Sequence, residues 1–238
     1  MKIEIWSDVM CPFCYIGKRH LEQALAELPF KNEVEIDWKS YQLNPAYKNE
    51  NGESLYDYLS TNKGISLEQA KQMTTQVAEM ASNVGLKLDF EKSIPANSFN
   101  AHRLIHFASS KGKQDLAEEE LFKAHFEHGK NIDDVDALLE IAANLGLDVN
   151  ETKSVLESDA FAEEVRYDIY ESQQLGVRGV PFFVMDRKYA LSGAQPVDAF
   201  KQAITQSYNE WKVAHENSSL KSLNTTKDNS CDENGCEV

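Results

Sequence analysis

The chain opens on a short apolar alternation, Ile3-Glu4-Ile5-Trp6, and a second one follows at Val34-Glu35-Ile36-Asp37-Trp38-Lys39. Alternation of this length marks a strand with one buried face. Between them, Tyr15 to Leu28 carries apolar residues at helical spacing, with Leu21, Ala24, Leu25 and Leu28 on one stripe and Pro29 closing the run. Strand, helix and strand so arranged predict a βαβ unit with a parallel pair. After Asn44-Pro45 the strand signals stop until Phe182. Helical periodicity replaces them over Leu67 to Val84, Ser98 to Ser110, Asp115 to His128 and Val135 to Leu145, with breaks at Gly85-Leu86 and Pro95-Ala96. A helix from about Asp159 to Leu175 then returns the chain to the sheet. Phe182 to Met185 and Tyr189 to Ser192, joined across Asp186-Arg187-Lys188, predict an antiparallel hairpin. Pro196 starts a last helix with Val197, Phe200, Ile204 and Trp211 on one face. Past about His215 the chain turns polar, and a flexible tail is expected.

The chemistry of this α/β pattern concentrates at Cys11-Pro12-Phe13-Cys14, between the first strand and the first helix. The first N–H groups of a helix lack intrahelical partners, and its positive dipole end favours an anion. A thiolate at Cys11 is such an anion, so the spacing predicts an exposed, acidified Cys11 with Cys14 one turn on to resolve a mixed disulfide. Pro12 suits the first helical position, where its missing N–H costs nothing. The same pair also fits half of a zinc site, two core thiols or a structural disulfide. A second signal is Gly176-Val177-Arg178-Gly179-Val180-Pro181, where a proline opens the apolar run Phe182 to Met185.

Together, the stretches SDVMCPFCYIG (7–17) and GVRGVPFFVMDRKYALSGAQ (176–195) resemble the DsbA-like branch of the thioredoxin superfamily, and within it the FrnE-like proteins. The resemblance spans about residues 2–212. It implies a thioredoxin-like fold split by a large all-helical insertion: residues 1–48 and 158–215 form the thioredoxin-like domain, 49–157 the insertion and 216–238 the tail. It further implies that Pro181 is a cis-proline facing the cysteines and that Val180 holds the substrate backbone, with Pro12 and Phe13 completing the substrate surface. Relatives often carry Pro-Trp between the cysteines, where this chain has Pro12-Phe13. The segment from Asn97 to Arg103 is similar to one shared with FrnE-like proteins and kappa-type glutathione-using isomerases, which makes Asn97 a substrate-binding candidate.

Further residues carry two readings. Asp8, three residues before Cys11, is either a proton relay for Cys14 or an ordinary loop carboxylate. His102 and His106 have metal-pair spacing but no evident third ligand, which favours surface or core histidines; His125 and His128 read as solvated. The tail carries Cys231 and Cys236, flanked by Asp232, Glu233 and Glu237, and some FrnE-like relatives similarly carry a second pair there. Acidic neighbours disfavour a thiolate, so this pair is expected to be the slower nucleophile and to serve as a secondary redox relay.

Composition narrows the partners. A formal charge of −15 argues against nucleic acid and anionic membrane surfaces, and runs such as Ala117-Glu118-Glu119-Glu120 read as solvated faces. No apolar run approaches a membrane span, and the first strand begins without an apolar leader, so a cytoplasmic protein is expected. In such a compartment, catalytic cysteines are favoured over structural disulfides. The expectation is a thiol-disulfide oxidoreductase or isomerase acting on client protein thiols and disulfides. It needs no metal or organic cofactor, and glutathione is a further candidate partner. The alternatives are a glutathione-dependent kappa-class isomerase or transferase and a structural protein holding zinc through all four cysteines.

Overall fold

The computed structural model describes residues 1–49 and 52–218. Strands β1 (Lys2–Ser7), β2 (Glu35–Ser40), β3 (Phe182–Met185) and β4 (Tyr189–Ser192) form one sheet in the order β2-β1-β3-β4. Helix α1 (Pro12–Ala26) crosses between β1 and β2, which pair in parallel with Ile3 beside Ile36 and Ile5 beside Trp38. β3 runs antiparallel to β1, Ile5 opposite Phe183, and the β3–β4 hairpin is antiparallel as its short connection requires.

Alternation along β1 decides the layers. Ile3 and Ile5 point into a core with Phe183, Met185, Leu21 of α1, and Phe200 and Ile204 of α9 (Val197–Ser218). Trp6 points the other way, and its indole N–H donates to the Asp168 carbonyl at 2.9 Å on α8 (Ala162–Gln174). β1 is therefore buried on both faces from Ile3 to Ser7, as expected of a strand covered on both sides.

Between β2 and α8 the chain is helical: α2 (Leu55–Lys63), α3 (Leu67–Ser82), α4 (Phe99–Ser110), α5 (Gln114–Phe122), a π-helical turn (Lys123–Glu127), α6 (Val135–Asn144) and α7 (Val149–Glu157). The sequence pattern anticipates α3 through α6 but not α2 or α7, each nine residues long. Their signals are caps: the Ser54 hydroxyl accepts from Asp57 N, and the Asp148 carboxylate from Glu151 N. The helical core is continuous with the far face of α1, where Cys14, Tyr15 and Ile16 join Leu104, Leu121 and Phe122. Tyr15 stacks on Phe122 with ring centres 4.7 Å apart. Lys18, only 2 % exposed, fastens α1 to α5 through Asp115 and Glu119.

The run from Ala117 to Glu120 is not the solvated face its charge suggests. Glu118 is 1 % exposed. It shares a helical stripe with Leu121 and Phe122, three and four residues on, and that stripe faces the core. Among the described residues, no helix is long and apolar enough to cross a membrane.

Candidate active site

β1 ends at Ser7, and the turn through Asp8 is closed by Cys11 N donating to the Asp8 carbonyl at 2.8 Å. This places Cys11 at the N-cap of α1 in an extended conformation (φ −101°, ψ 110°), with Pro12 in the first turn as the sequence predicts. Cys11 and Cys14 are both free thiols. The Val180–Pro181 peptide bond is cis, and the Cys11 thiol points at the Val180 carbonyl, Sγ to O 3.6 Å. The two sequence signals, at opposite ends of the chain, thus meet at one sulfur.

Cys11 is less open than the sequence pattern suggests, at 4 % exposure. The Val180 loop covers one side of it, and the helical layer walls the other around a cavity of 570 Å³. Phe13, 40 % exposed, forms the cavity's lip. Leu55, Tyr58, Val77 and Phe90 make its apolar wall. This volume lies within the range of about 300–1,000 Å³ usual for sites that hold a small molecule or an anchoring side chain.

Cys14 is fully buried, and its pKa is raised well above the ordinary thiol value. Burial is the main cause, with the hydrogen bond and charge of Cys11 adding to it; the Asp8 backbone N–H and the Ser7 hydroxyl work the other way. The pair is therefore asymmetric, one sulfur beside the cavity and the other sealed behind it.

Asp8 is buried, and its carboxylate is fully engaged. Oδ1 accepts from Met10 N at 3.1 Å and Oδ2 from Leu43 N at 2.7 Å, so it ties the cysteine turn to the loop after β2. His102 lies 3.7 Å from Oδ1 and bonds the Tyr41 carbonyl at 2.8 Å. Burial disfavours the His102 imidazolium, yet Asp8, Glu118 and the Tyr41 carbonyl outweigh this and raise its pKa. His106 contacts Ser40 Oγ and Asp168. His102 is buried and His106 half-buried, each with a hydrogen-bond partner within the fold, and among the described residues no group of three or more His, Cys, Asp or Glu side chains is placed to hold a metal ion.

The structure brings Cys11, Cys14, Pro12, Phe13, Val180, Pro181 and Asp8 together; Asn97 stands apart. Its Oδ1 accepts from Gln42 Nε2 and Phe99 N, while its Nδ2 donates to the Pro45 and Tyr47 carbonyls. It braces the 42–47 loop and does not line the cavity, although its neighbours Ala96 and Ser98 do. Cys231 and Cys236 lie outside the described residues.

Three positions matter that the sequence pattern does not single out. Gly17 lies one turn beyond Cys14, and a Cβ there would sit 3.0 Å from Pro181 Cγ and 3.2 Å from Phe183 Cζ. The close approach of α1 to the cis-proline thus leaves little room for a side chain at position 17. Gly17→Val is expected to push Pro181 away from Cys11, to cost about 1–3 kcal/mol through overpacking, and to slow exchange at Cys11. Thermal unfolding together with the rate of Cys11 alkylation checks this.

His125, read as solvated from sequence, is instead fully buried by the π-helical turn. It lies against the cavity, with neither ring nitrogen hydrogen-bonded among the described residues. Burial lowers its pKa to about 4, only slightly opposed by Asp8. The folded state holds this ring neutral, whereas the unfolded chain protonates it near the ordinary value of about 6.5. Its contribution to stability is therefore complete above that value and is lost as pH falls through about 4, on the order of 3 kcal/mol over the window. His125→Leu is expected to be more stable than the parent, by a margin that widens from pH 7.5 to pH 5 in urea titrations. The third position is Glu118, buried on α5, whose Oε1 accepts from the Ser7 hydroxyl at 2.6 Å and whose carboxyl burial pushes up to about 7.

A dithiol at the start of a helix, faced by a cis-proline loop on a four-stranded sheet, is an arrangement of the thioredoxin-like fold. Residues 2–205 match the DsbA-like thioredoxin domain, and the chain belongs to that family, whose members are thiol-disulfide oxidoreductases. The chain is 28 % identical over 205 residues to the Bacillus subtilis protein YwbO, covering 85 % of this chain and 95 % of YwbO. It superimposes on the crystal structure of a probable DsbA oxidoreductase from Streptomyces coelicolor with a TM-score of 0.84 and 34 % identity, covering 100 % of this chain and 99 % of the other. The cytosolic disulfide reductase DsbM of Pseudomonas aeruginosa shares the fold, with a TM-score of 0.55 and 16 % identity, covering 91 % and 99 % of the two chains.

Proposed function

We propose that this protein is a cytoplasmic enzyme that exchanges thiols and disulfides on client proteins through Cys11 and Cys14. The observation that carries the reading is the unequal placement of two free thiols one helical turn apart: Cys11 beside the cavity and the cis-proline loop, Cys14 sealed behind it. In the reducing direction the Cys11 thiolate attacks one sulfur of a client disulfide. A Cys11–client bond forms, and the other client sulfur leaves as a thiolate. Cys14, deprotonated, then attacks Cys11 Sγ, closing the Cys11–Cys14 disulfide and expelling the second client thiolate. The oxidising direction is the reverse. Isomerisation stops at the mixed disulfide, when another thiol of the client displaces Cys11.

The cavity supplies the client site. An apolar client side chain near the reacting cysteine fits between Phe13 and the α2–α3 wall, and Val180 lies against the client backbone. The tail pair Cys231/Cys236 serves as the second dithiol that exchanges with Cys11–Cys14. Glutathione is a second candidate partner, since DsbM has been crystallised with it. A transferase with one nucleophile would have no use for a resolving thiol beneath it, so Cys14 favours the dithiol reading.

The test is turnover on a protein disulfide, with insulin reduction by dithiothreitol as the assay. The parent is expected to accelerate it and Cys11→Ser to give the background rate. A Cys11→Ser variant as active as the parent would remove the basis of the proposal.

A further inference from the structure

Ser98 occupies the N-cap of α4 and does not cap it. Where α2, α3, α6 and α7 begin at Ser54, Ser66, Asp134 and Asp148, the side chain accepts from an N–H of the first turn. The backbone accounts for the difference. Ser54 and Ser66 are extended, both at ψ 158°, whereas Ser98 is at ψ 1°, outside the conformation that brings a capping oxygen to those N–H groups. Asn97 Oδ1 accepts from Phe99 N instead, at 3.0 Å. The Ser98 hydroxyl is left without a hydrogen-bond partner among the described residues, although the residue is only 2 % exposed. A buried hydroxyl so left is unfavourable, and the helix does not explain it. Ser98 lines the cavity that Cys11 also lines.

The remaining lining narrows what would pair with it. Tyr58, Phe90 and Phe126 give the cavity aromatic walls, and Phe90 meets Phe126 edge-on with ring centres 6.0 Å apart. Such walls suit another ring in offset or edge-on contact. Charge is poorly provided for. Both carboxylate oxygens of Asp8 are taken by Met10 N and Leu43 N, burial holds His125 neutral, and Lys63 is exposed to solvent. A carboxylate or an ammonium drawn inside would be desolvated without a free counter-ion. A neutral aromatic ring ending in a hydroxyl meets both conditions, since a phenol O–H can donate to Ser98 Oγ or accept from it.

We propose that Ser98 selects clients with a tyrosine adjoining the reacting cysteine, its ring among Tyr58, Phe90 and Phe126 and its hydroxyl bonded to Ser98. The inference rests on the proposed function, in which a disulfide holds the client at Cys11. Because Cys11 lines the cavity, the residue next to the client cysteine stands at its entrance. Ser98 takes no part in the exchange at the sulfurs; its contribution is to binding. Phenylalanine in the same place leaves the Ser98 hydroxyl unpaired, and a site built to bond a hydroxyl discriminates against the analogue that lacks it.

The test compares short peptides, each a dimer joined by one disulfide, with tyrosine, phenylalanine or glutamate on one side of the cysteine or on the other. The full chain reduces them with dithiothreitol as the electron source, the freed peptide is followed by chromatography, and the uncatalysed rate is subtracted. In one of the two positions the parent is expected to favour tyrosine over phenylalanine in kcat/KM by at least about fivefold, the low end of what an unpaired buried hydroxyl costs. Ser98→Ala should abolish that preference, and Ser98→Thr, which keeps the hydroxyl, should retain it. The ratio is the readout, because a merely structural role would slow every peptide alike. Equal turnover of the tyrosine and phenylalanine peptides by the parent in both positions would overturn the inference. So would a preference that survives Ser98→Ala, or a glutamate peptide turned over faster than the tyrosine one. Failure of the parent to reduce any peptide would instead defeat the thiol-disulfide reading itself.

Discussion

Cys14→Ser is expected to stop the protein at its mixed disulfide. Cys11 still attacks the client, but the serine hydroxyl at position 14 is far too weak a nucleophile to displace it. Turnover should fall by at least about 10²-fold, while a Cys11-linked adduct accumulates that dithiothreitol releases. The geometry predicts stability for the adduct as well as formation. Residue 14 is fully buried beneath Cys11, and the Val180–Pro181 loop covers another side, so attack by an outside thiol is hindered. Non-reducing electrophoresis followed by peptide mass should place every adduct on Cys11. Adducts on Cys14 in a Cys11→Ser variant would contradict this, since they require the sealed sulfur to be open.

Arg103→Met is expected to be the most destabilising single change away from the cysteines. Arg103 is 4 % exposed, and its guanidinium donates to the carbonyls of Val155, Leu156, Ser158 and Ala160 and to Asn100 Oδ1. Those carbonyls end α7 and form the turn into α8, where Phe161 is held at φ +61°, a left-handed conformation that bulky residues avoid. One side chain thus satisfies a helix C-terminus and clamps the turn that returns the chain to the sheet. Methionine keeps most of the volume and none of the donors, leaving buried carbonyls unpaired. The cost should be about 3–5 kcal/mol, or roughly 10 °C in Tm for a chain of this size. Arg103→Lys should recover only part, because an ammonium lacks the forked geometry that reaches several carbonyls at once. A loss below about 1 kcal/mol would show that the turn does not depend on the clamp.

Much of the architecture is legible in the sequence because its signals are local. Period-two alternation places β1 and β2, the apolar run after Pro181 places β3, Pro12 marks the start of α1, and the three residues between Met185 and Tyr189 imply a hairpin with β4. The cysteine pair and the Val180–Pro181 loop are legible as motifs. What binds them is long-range, for Cys11 and Val180 are separated by 169 positions in the chain. The less legible part is the polar interior. Glu118 sits in a run of four charged or small residues that reads as solvent-facing, and only its phase with Leu121 and Phe122 betrays the burial. His125 is turned inward by one π-helical turn, a departure from helical phase that no pattern of apolar residues encodes. Asn97 shows the opposite failure: a residue carried over by resemblance to a site that its hydrogen bonds do not reach.

The account turns on Cys11 and Cys14 acting as one reversible couple. The measurement that tests this most directly is an equilibrium redox titration of the full chain in glutathione buffers. Each cysteine's state is quenched by alkylation and read by peptide mass. The account predicts that Cys11 and Cys14 lose their alkylation together, joined in one disulfide, along a two-electron curve. Its midpoint should fall between about −270 and −120 mV, the span from thioredoxin to DsbA. Cys14 remaining a free thiol while Cys11 is fully glutathionylated would contradict it, for then the buried sulfur does not resolve and the pair is not a couple.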